Sequence, residues 1–316
     1  MMNLALILLP FTLVATAPLD RSAQDDTRPV PPPFEAPPDV IPEVEGGVFT
    51  RFYHPSGALA REGYLVDGAR AGVWKGWDES GARRFHGEFK DYRRVGPWVS
   101  YGAGVRTVTQ GSYDDVGRRH GTWATYGAQR DLRMLARFDH GVRVGAFERF
   151  TRGGKLVERT TYKDGLRDGL SIKKSTGAKG LVEQGNWSAG KRLGPWQFYH
   201  PDGALKRAGE YLDGREQGEW IGYFPNGKRE SVGQFEAGRA VGQWTGFYKQ
   251  GERRFVTEFA EGLQQGPHSE WWRSGQLKAQ GEYQAGLFEG PWKFWSAEGQ
   301  LDTTRTGRYS KGSLIQ

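Results

Sequence analysis

The six histidines are the side chains with which this sequence could most readily bind a metal ion or transfer a proton. They form no ligand motif such as HExxH, and His86, His120 and His140 stand in different local sequence contexts. Cysteine is absent, which excludes disulfides, Cys-based zinc sites and a thiol nucleophile. The sequence therefore predicts no metal site.

Motifs of nucleophilic catalysis and of nucleotide binding are also missing from the sequence. There is no GxSxG nucleophile motif, no phosphate-binding loop and no dinucleotide fingerprint. We therefore predict that the protein is not an enzyme, and that it has no catalytic residue and no cofactor.

The sequence repeats with a period of 24 or 25 residues, and this repeat determines where the histidines can lie. The most regular copy is GEYLDGREQGEWIGYFPNGKRESV, and the units start at Gly63, Gly87, Gly111, Ala136, Thr160, Gly185, Gly209, Gly233, Thr257 and Gly281. Such a period is typical of a repeat array, in which each unit packs on its neighbours. Since His54 and His200 occupy the same position in distant units, we expect that they cannot serve one site.

Each unit contains two runs typical of β-strands and two turn signals. In the copy that starts at Gly209, Asp213-Gly214 separates LKRAGEYL from GEWIGYF, and Pro225-Asn226-Gly227 turns the chain back. The sequence thus predicts an all-β fold, an elongated antiparallel β-meander of about ten two-stranded units of about 24 residues. A four-residue loop, Gly214–Gln217, would set Tyr211 directly across from Trp220.

Aromatic residues form two ranks through the array, one for each strand of the unit. The chain has 12 Trp, 13 Tyr and 17 Phe but few Leu, Ile and Val, so the core must be aromatic. The predicted structural positions are Trp74, Trp98, Trp123, Trp196, Trp220, Trp244 and Trp292 in the second strand, with Tyr211, Phe235 and Tyr283 in the first. Ser171 and His268 replace Trp, and we interpret His268 as a tolerated core variant.

A cluster of lysines interrupts these ranks. The chain reads LSIKKSTGAK from Leu170, so that Lys173, Lys174 and Lys179 stand where neighbouring units have aromatic residues and a turn. One interpretation is sequence drift in a unit that is supported from both sides. The other is a contact patch for an anionic partner at a bend in the array.

The N-terminal region differs in composition from the array, which we place at residues 48–316. Residues 1–17 are interpreted as a signal peptide, with an apolar segment from Leu4 to Val14 and the small residues Ala15-Thr16-Ala17. Pro18 follows directly, so the cleavage position stays open. Residues 18–47 are a Pro-rich, acidic linker that favours extended polyproline II conformations.

The pattern aromatic-x-x-Gly-x-x-x-Gly, as in Tyr211-Leu-Asp-Gly214-Arg-Glu-Gln-Gly218, resembles the MORN repeat. Trp220 and Tyr223, with the longer period, resemble its bacterial variant, the repeat of YwqK-type antitoxin proteins. The resemblance extends from residue 48 to residue 312, with departures in the units that start at Ala136 and Thr160. It implies an elongated β-sheet array used for protein or membrane association, without catalytic residues.

Three functions are consistent with these observations. The favoured one is a non-catalytic scaffold, exported to the periplasm, cell envelope or extracellular space, that binds a protein or an envelope component. Because the chain carries a net charge of +7, an anionic partner is included. The alternatives are a cell-wall glycan-binding module and a YwqK-type antitoxin or immunity protein. No nucleic-acid partner is expected, and no transmembrane span beyond the N-terminal signal.

Overall fold

A computed structural model describes residues 34–103, 106–175 and 180–315 of the chain. The predicted signal peptide, the first part of the linker and Lys179 lie outside these residues. The described residues contain 23 β-strands. In chain order they are β1 Val48–Tyr53, β2 Leu59–Val66, β3 Ala69–Trp77, β4 Arg83–Lys90, β5 Arg93–Tyr101, β6 Val108–Tyr113, β7 Arg119–Tyr126, β8 Leu132–Asp139, β9 Val142–Phe150, β10 Leu156–Lys163, β11 Leu166–Lys174, β12 Leu181–Ser188, β13 Lys191–Tyr199, β14 Leu205–Leu212, β15 Arg215–Tyr223, β16 Arg229–Glu236, β17 Arg239–Phe247, β18 Arg253–Ala260, β19 Leu263–Trp271, β20 Leu277–Gln284, β21 Leu287–Phe294, β22 Gly307–Ser310 and β23 Ser313–Leu314.

Every strand pairs antiparallel with the next strand in the chain, so the sheet is a meander from β1 to β23. The predicted all-β repeat architecture is confirmed. Within the described residues, no helix has the length and hydrophobicity that a membrane span requires.

The hairpin turn inside the unit differs from the predicted four-residue loop. Asp213 and Gly214 have φ angles of 54° and 81°, so they form a two-residue turn of type I′. Tyr211 is therefore opposite Glu216 and not opposite Trp220. The predicted register was wrong because a two-residue turn also satisfies the Asp-Gly signal.

A bulge brings Trp220 back towards Tyr211. The pairing moves from Glu210↔Gln217 to Ala208↔Ile221, so Gly209 faces the three residues 218–220. The rings of Tyr211 and Trp220 then lie 5.2 Å apart in an edge-to-face arrangement. Phe235 with Trp244, and Tyr283 with Trp292, both lie 5.1 Å apart in the same way.

The indole ring of Trp220 lies on the backbone of Gly209. A Cβ atom at Gly209 would lie 2.2 Å from the indole Cδ2, so only glycine leaves room for the ring. The indole nitrogen donates a hydrogen bond to the Glu210 carbonyl at 3.2 Å. The same glycine contact recurs for every tryptophan of the second-strand rank: Trp74, Trp98, Trp123, Trp196, Trp244 and Trp292.

Units that lack the glycine also lack the tryptophan. Ala136 is combined with Phe147, Thr160 with Ser171, and Thr257 with His268 at the equivalent positions. Thr160 and Ser171 share a hydrogen bond of 2.9 Å between their hydroxyl oxygens. These pairs conserve the space between the two strands, because a larger residue at the glycine position always occurs with a smaller residue at the tryptophan position.

We call the side of the sheet that carries these tryptophans the indole face. Trp74, Trp98, Trp123, Trp196, Trp220 and Trp292 are at most 3% exposed, and Trp244 is half-buried. Their neighbours are Tyr211, which is buried, and Phe235 and Tyr283, which are half-buried. The core of this single sheet is thus a continuous row of rings on one of its faces.

The described end of the linker packs on the opposite face, over β3 and β4. His86 is 3% exposed, and its Nε2 lies 3.0 Å from the Pro38 carbonyl oxygen. Lys75 donates to the Asp39 carbonyl, and Pro37 is buried. This segment therefore leaves the indole face uncovered.

The pair Thr257 and His268 tests the packing rule. The Thr257 hydroxyl and His268 Nδ1 are both buried without a hydrogen-bond partner among the described residues, a condition that costs about 1–3 kcal/mol for each group. The double change Thr257→Gly with His268→Trp should restore the regular pair and raise the free energy of unfolding by about 1–3 kcal/mol. His268→Trp alone should lower it by about 1–3 kcal/mol, since the ring would overlap Thr257.

Urea denaturation of the wild type, both single variants and the double variant measures this coupling. The matched reverse change is Gly209→Thr with Trp220→His, which should be destabilising. Additive effects of the two single changes would contradict the packing rule.

His268 also predicts a pH dependence of stability. Burial is the main cause that holds the pKa of His268 below its ordinary value, although Glu270 opposes the shift. Below about pH 6.5 the unfolded chain binds a proton here that the folded chain does not, so stability should fall as the pH falls. The double variant should lose stability less steeply between about pH 7.5 and pH 5.5. Equal slopes of the urea midpoint with pH for both proteins would refute this.

Candidate functional site

A row of six arginines runs along the indole face. Arg70, Arg94, Arg119, Arg143, Arg167 and Arg192 lie at the start of strands β3, β5, β7, β9, β11 and β13. Because the preceding hairpin usually has a two-residue turn, each arginine is directly opposite the residue of the first-strand rank, as in Arg94↔Phe89 and Arg192↔Trp187. Equivalent residues of adjacent units are two strands apart, about 10 Å, so the row is about 50 Å long.

Each guanidinium of this arginine row lies over aromatic rings. Arg94 is 4.7 Å from the ring centroid of Trp98, Arg119 is 4.6 Å from Trp123, and Arg167 is 4.8 Å from Trp187. Such contacts stabilise by about 0.5–2 kcal/mol. The arginines thus cover the rings of the core and present cationic groups at the surface.

Arg192 shows the fullest set of contacts. It lies 4.4 Å from the Trp196 ring centroid and donates to the Tyr211 hydroxyl at 3.2 Å. It also forms an ion pair of 3.0 Å with Glu183. The planar guanidinium serves all three partners at once, which a lysine could not do.

The other five members of the row lack an acidic partner. Within the described residues, Arg70, Arg94, Arg119, Arg143 and Arg167 form no ion pair. Burial lowers the pKa of Arg70, and the positive charges of Arg61 and Arg94 lower it further. The face is therefore crowded with like charge at this end.

The arginine row ends after the sixth unit. The next four units have Glu216, Ala240, Gln264 and Phe288 at the same position, each opposite the first-strand residue. Glu216 forms an ion pair with Arg207 instead. The array thus has a basic half and a half without this charge.

Acidic residues on the adjacent strands offset the positive charge of the lysine cluster. Lys173 is exposed, but its register partners on the two adjacent strands are Glu158 and Glu183. Lys174 is half-buried opposite Leu181, and Lys179 lies outside the described residues. Glu158 pairs with Arg149 and Glu183 with Arg192, so charges of both signs alternate here.

Two of the histidines, which the sequence analysis kept apart, lie together. The rings of His120 and His140 are 4.8 Å apart, and Asp139 lies beside both. The remaining described histidines have structural surroundings. His54 and His200 each contact a main-chain carbonyl of the next unit, and His86 and His268 are buried.

The arginine row was missed from the sequence, although a signal existed. When the units are aligned on the second-strand tryptophan, Arg stands four residues before it in the first units, as in ARAGVW, RRVGPW and KRLGPW. The assumed four-residue loop placed these arginines within the turn, and their position opposite an aromatic ring was therefore not recognised.

Comparisons with known proteins support the repeat type. Residues 192–213, 216–237 and 264–285 match the family described as MORN repeat variant. Each match covers a second strand and the first strand of the next unit, such as β13 with β14. The chain therefore contains repeats of the MORN variant type.

Two further comparisons concern curated sequences and solved structures. Comparison with curated protein sequences gives no significant match. A solved structure described as "Crystal Structure of TcdB2-TccC3-TEV" is similar with 12% identity and a TM-score of 0.16, over 79% of this chain and 15% of that chain. This chain thus spans a small part of that protein's length.

Arg192→Lys keeps the charge but loses the planar stacking and the forked hydrogen bonds. We expect it to lower the free energy of unfolding by about 1–2 kcal/mol. Arg215→Lys is the matched control, because Arg215 is exposed and contacts no ring among the described residues. Urea denaturation of the two variants measures the difference. Equal stabilities would show that the guanidinium does not stabilise the ring core.

Proposed function

We propose that this protein is a non-catalytic repeat scaffold that binds an anionic protein or envelope component through the arginine row. The observation that carries the proposal is the set of five arginines on one face without an acidic partner among the described residues. Cations that are already held over rings lose little conformational freedom when they bind an anion.

The exposed groups of the indole face favour binding of a partner by charge over binding of a sugar by ring stacking. A sugar-binding face needs exposed ring faces, whereas six of the seven second-strand tryptophans of the indole face are almost fully buried. Arg94, Arg119 and Arg167, in contrast, are exposed. This distribution favours an anionic surface or segment as the partner over a neutral glycan.

The length and spacing of the row favour an extended partner. Cationic groups recur about every 10 Å over about 50 Å, which exceeds the dimensions of a small-molecule ligand. The MORN-type repeats agree with a scaffold role, because such repeats are associated with protein or membrane binding. The apolar segment near the N-terminus, Leu4 to Val14, supports export as part of this proposal.

The absence of catalysis is part of the proposal as well. Equivalent side chains of successive units are about 10 Å apart, so the repeat geometry separates like groups beyond hydrogen-bonding distance. A fixed row of separated cations is suited to binding and poorly suited to chemistry at one bond.

The test compares the removal of three arginines from the row with the removal of three arginines from the other half of the array. The triple variant Arg94→Gln, Arg119→Gln and Arg143→Gln removes three members of the row. The control, Arg215→Gln, Arg229→Gln and Arg239→Gln, removes three exposed arginines from the other half. Binding to an acidic peptide, to anionic lipid vesicles and to envelope extracts is measured at low and high salt.

The row variant should bind at least about tenfold more weakly than the control, because each contact contributes about 0.5 kcal/mol. Binding of the wild type should also weaken at high ionic strength, where charges are screened within a few ångströms. Binding that is unchanged in the row variant, or equally reduced in the control, would refute the proposal. Thermal melting of both variants verifies that they are folded.

A further inference from the structure

A cluster of side chains that can ligate a metal ion lies at the ends of strands β7 and β8, outside the arginine row. His120 belongs to β7, Asp139 ends β8, and His140 begins the turn to β9 with a φ angle of 43°. Their side chains are between about half and two thirds exposed. The strand pairing brings these residues together although 20 residues of sequence separate the two histidines.

A buried carboxylate orients one of these rings. The Asp114 side chain is 4% exposed and accepts hydrogen bonds from the Arg118 main-chain nitrogen at 2.7 Å and from Arg118 Nε at 2.8 Å. Its Oδ2 also lies 2.7 Å from His140 Nδ1. These bonds hold the carboxylate in one orientation beside the His140 ring.

The contact with Asp114 decides which ring nitrogen of His140 is free. Asp114 already accepts two hydrogen bonds from Arg118, so it also acts as the acceptor towards His140, and His140 Nδ1 carries the hydrogen in this contact. Arg118 Nη2 lies 3.1 Å from the same nitrogen, but it is itself only a donor. The lone pair of His140 therefore lies on Nε2, which is directed towards Asp139. This is the carboxylate–histidine arrangement that orients metal ligands.

The separations of the two imidazole nitrogens from Asp139 agree with coordination better than with hydrogen bonding. His120 Nδ1 and His140 Nε2 lie 3.5 Å and 3.7 Å from the same oxygen of Asp139. Both distances exceed a good hydrogen bond. Bonds of about 2.1 Å to a tetrahedral ion place its ligand atoms about 3.4 Å apart.

We propose that His120, Asp139 and His140 form a binding site for a zinc-like divalent transition-metal ion, with Asp114 holding His140 in the binding tautomer. Two imidazoles and one carboxylate provide three ligands, and water completes the coordination because the cluster is exposed. The site depends on one irregular turn. The third unit has Asp114 to Gly117 where most other units have a two-residue turn, and this turn supplies the orienting carboxylate.

The experiment uses the full chain without a histidine tag. Calorimetry with Zn²⁺, and visible absorption with Co²⁺, should show one ion per chain and the intense bands of tetrahedral cobalt. His140→Ala and His120→Ala should each abolish saturable binding. Asp114→Asn, which leaves all three ligands in place, should weaken binding about 10–100-fold. His200→Ala should have no effect, because that ring contacts a main-chain carbonyl.

Thermal melting in the absence of metal verifies that each variant is folded. For the wild type and for His200→Ala, saturating Zn²⁺ should raise the melting temperature, and His120→Ala and His140→Ala should lose this shift. Failure of the wild type to bind Zn²⁺ or Co²⁺ would overturn the proposal, and so would binding by His120→Ala or His140→Ala that equals binding by the wild type. Calcium binding of comparable affinity would overturn the assignment to a transition metal.

Discussion

The contact on which the rest of this structure depends is that of a tryptophan ring with the backbone of a glycine on the neighbouring strand. A single sheet has no second layer against which to bury apolar surface. Here the ring of Trp220 lies flat over Gly209, where any side chain would overlap it. Repetition of this contact produces a core within one face of one sheet.

The same contact explains the chemistry of the surface. The bulge brings the ring over the glycine, also in the third unit with its longer turn, and the hairpin sets an arginine opposite the first-strand residue. The guanidinium then covers the rings from the solvent side. Stability and surface charge therefore share the same side chains in the first six units, whereas the later units use residues such as Phe288 in that place.

The fold could be predicted from the sequence because its period, turn signals and aromatic ranks all indicate the same two-stranded unit. The register could not, because the turn and the bulge compensate for each other, and their combination leaves Trp220 near Tyr211 as a longer loop would. Two signals in the sequence were not recognised: the paired substitutions, such as Thr257 with His268, and the arginine four residues before the tryptophans of the first units. The meeting of His120 with His140 required the register of β7 and β8, which no local pattern supplies.

The meander connectivity has a mechanical consequence. Among the residues that the structure describes, every strand pairs only with strands adjacent in sequence, so tension on the two ends of the array loads the hairpins in series. Strands at the ends can peel away one at a time, without the simultaneous rupture of many hydrogen bonds. A folded unit contributes about 10 Å to the length of the array, whereas about 24 extended residues span about 80 Å. The array would therefore extend several-fold under load and refold locally, as an elastic tether does.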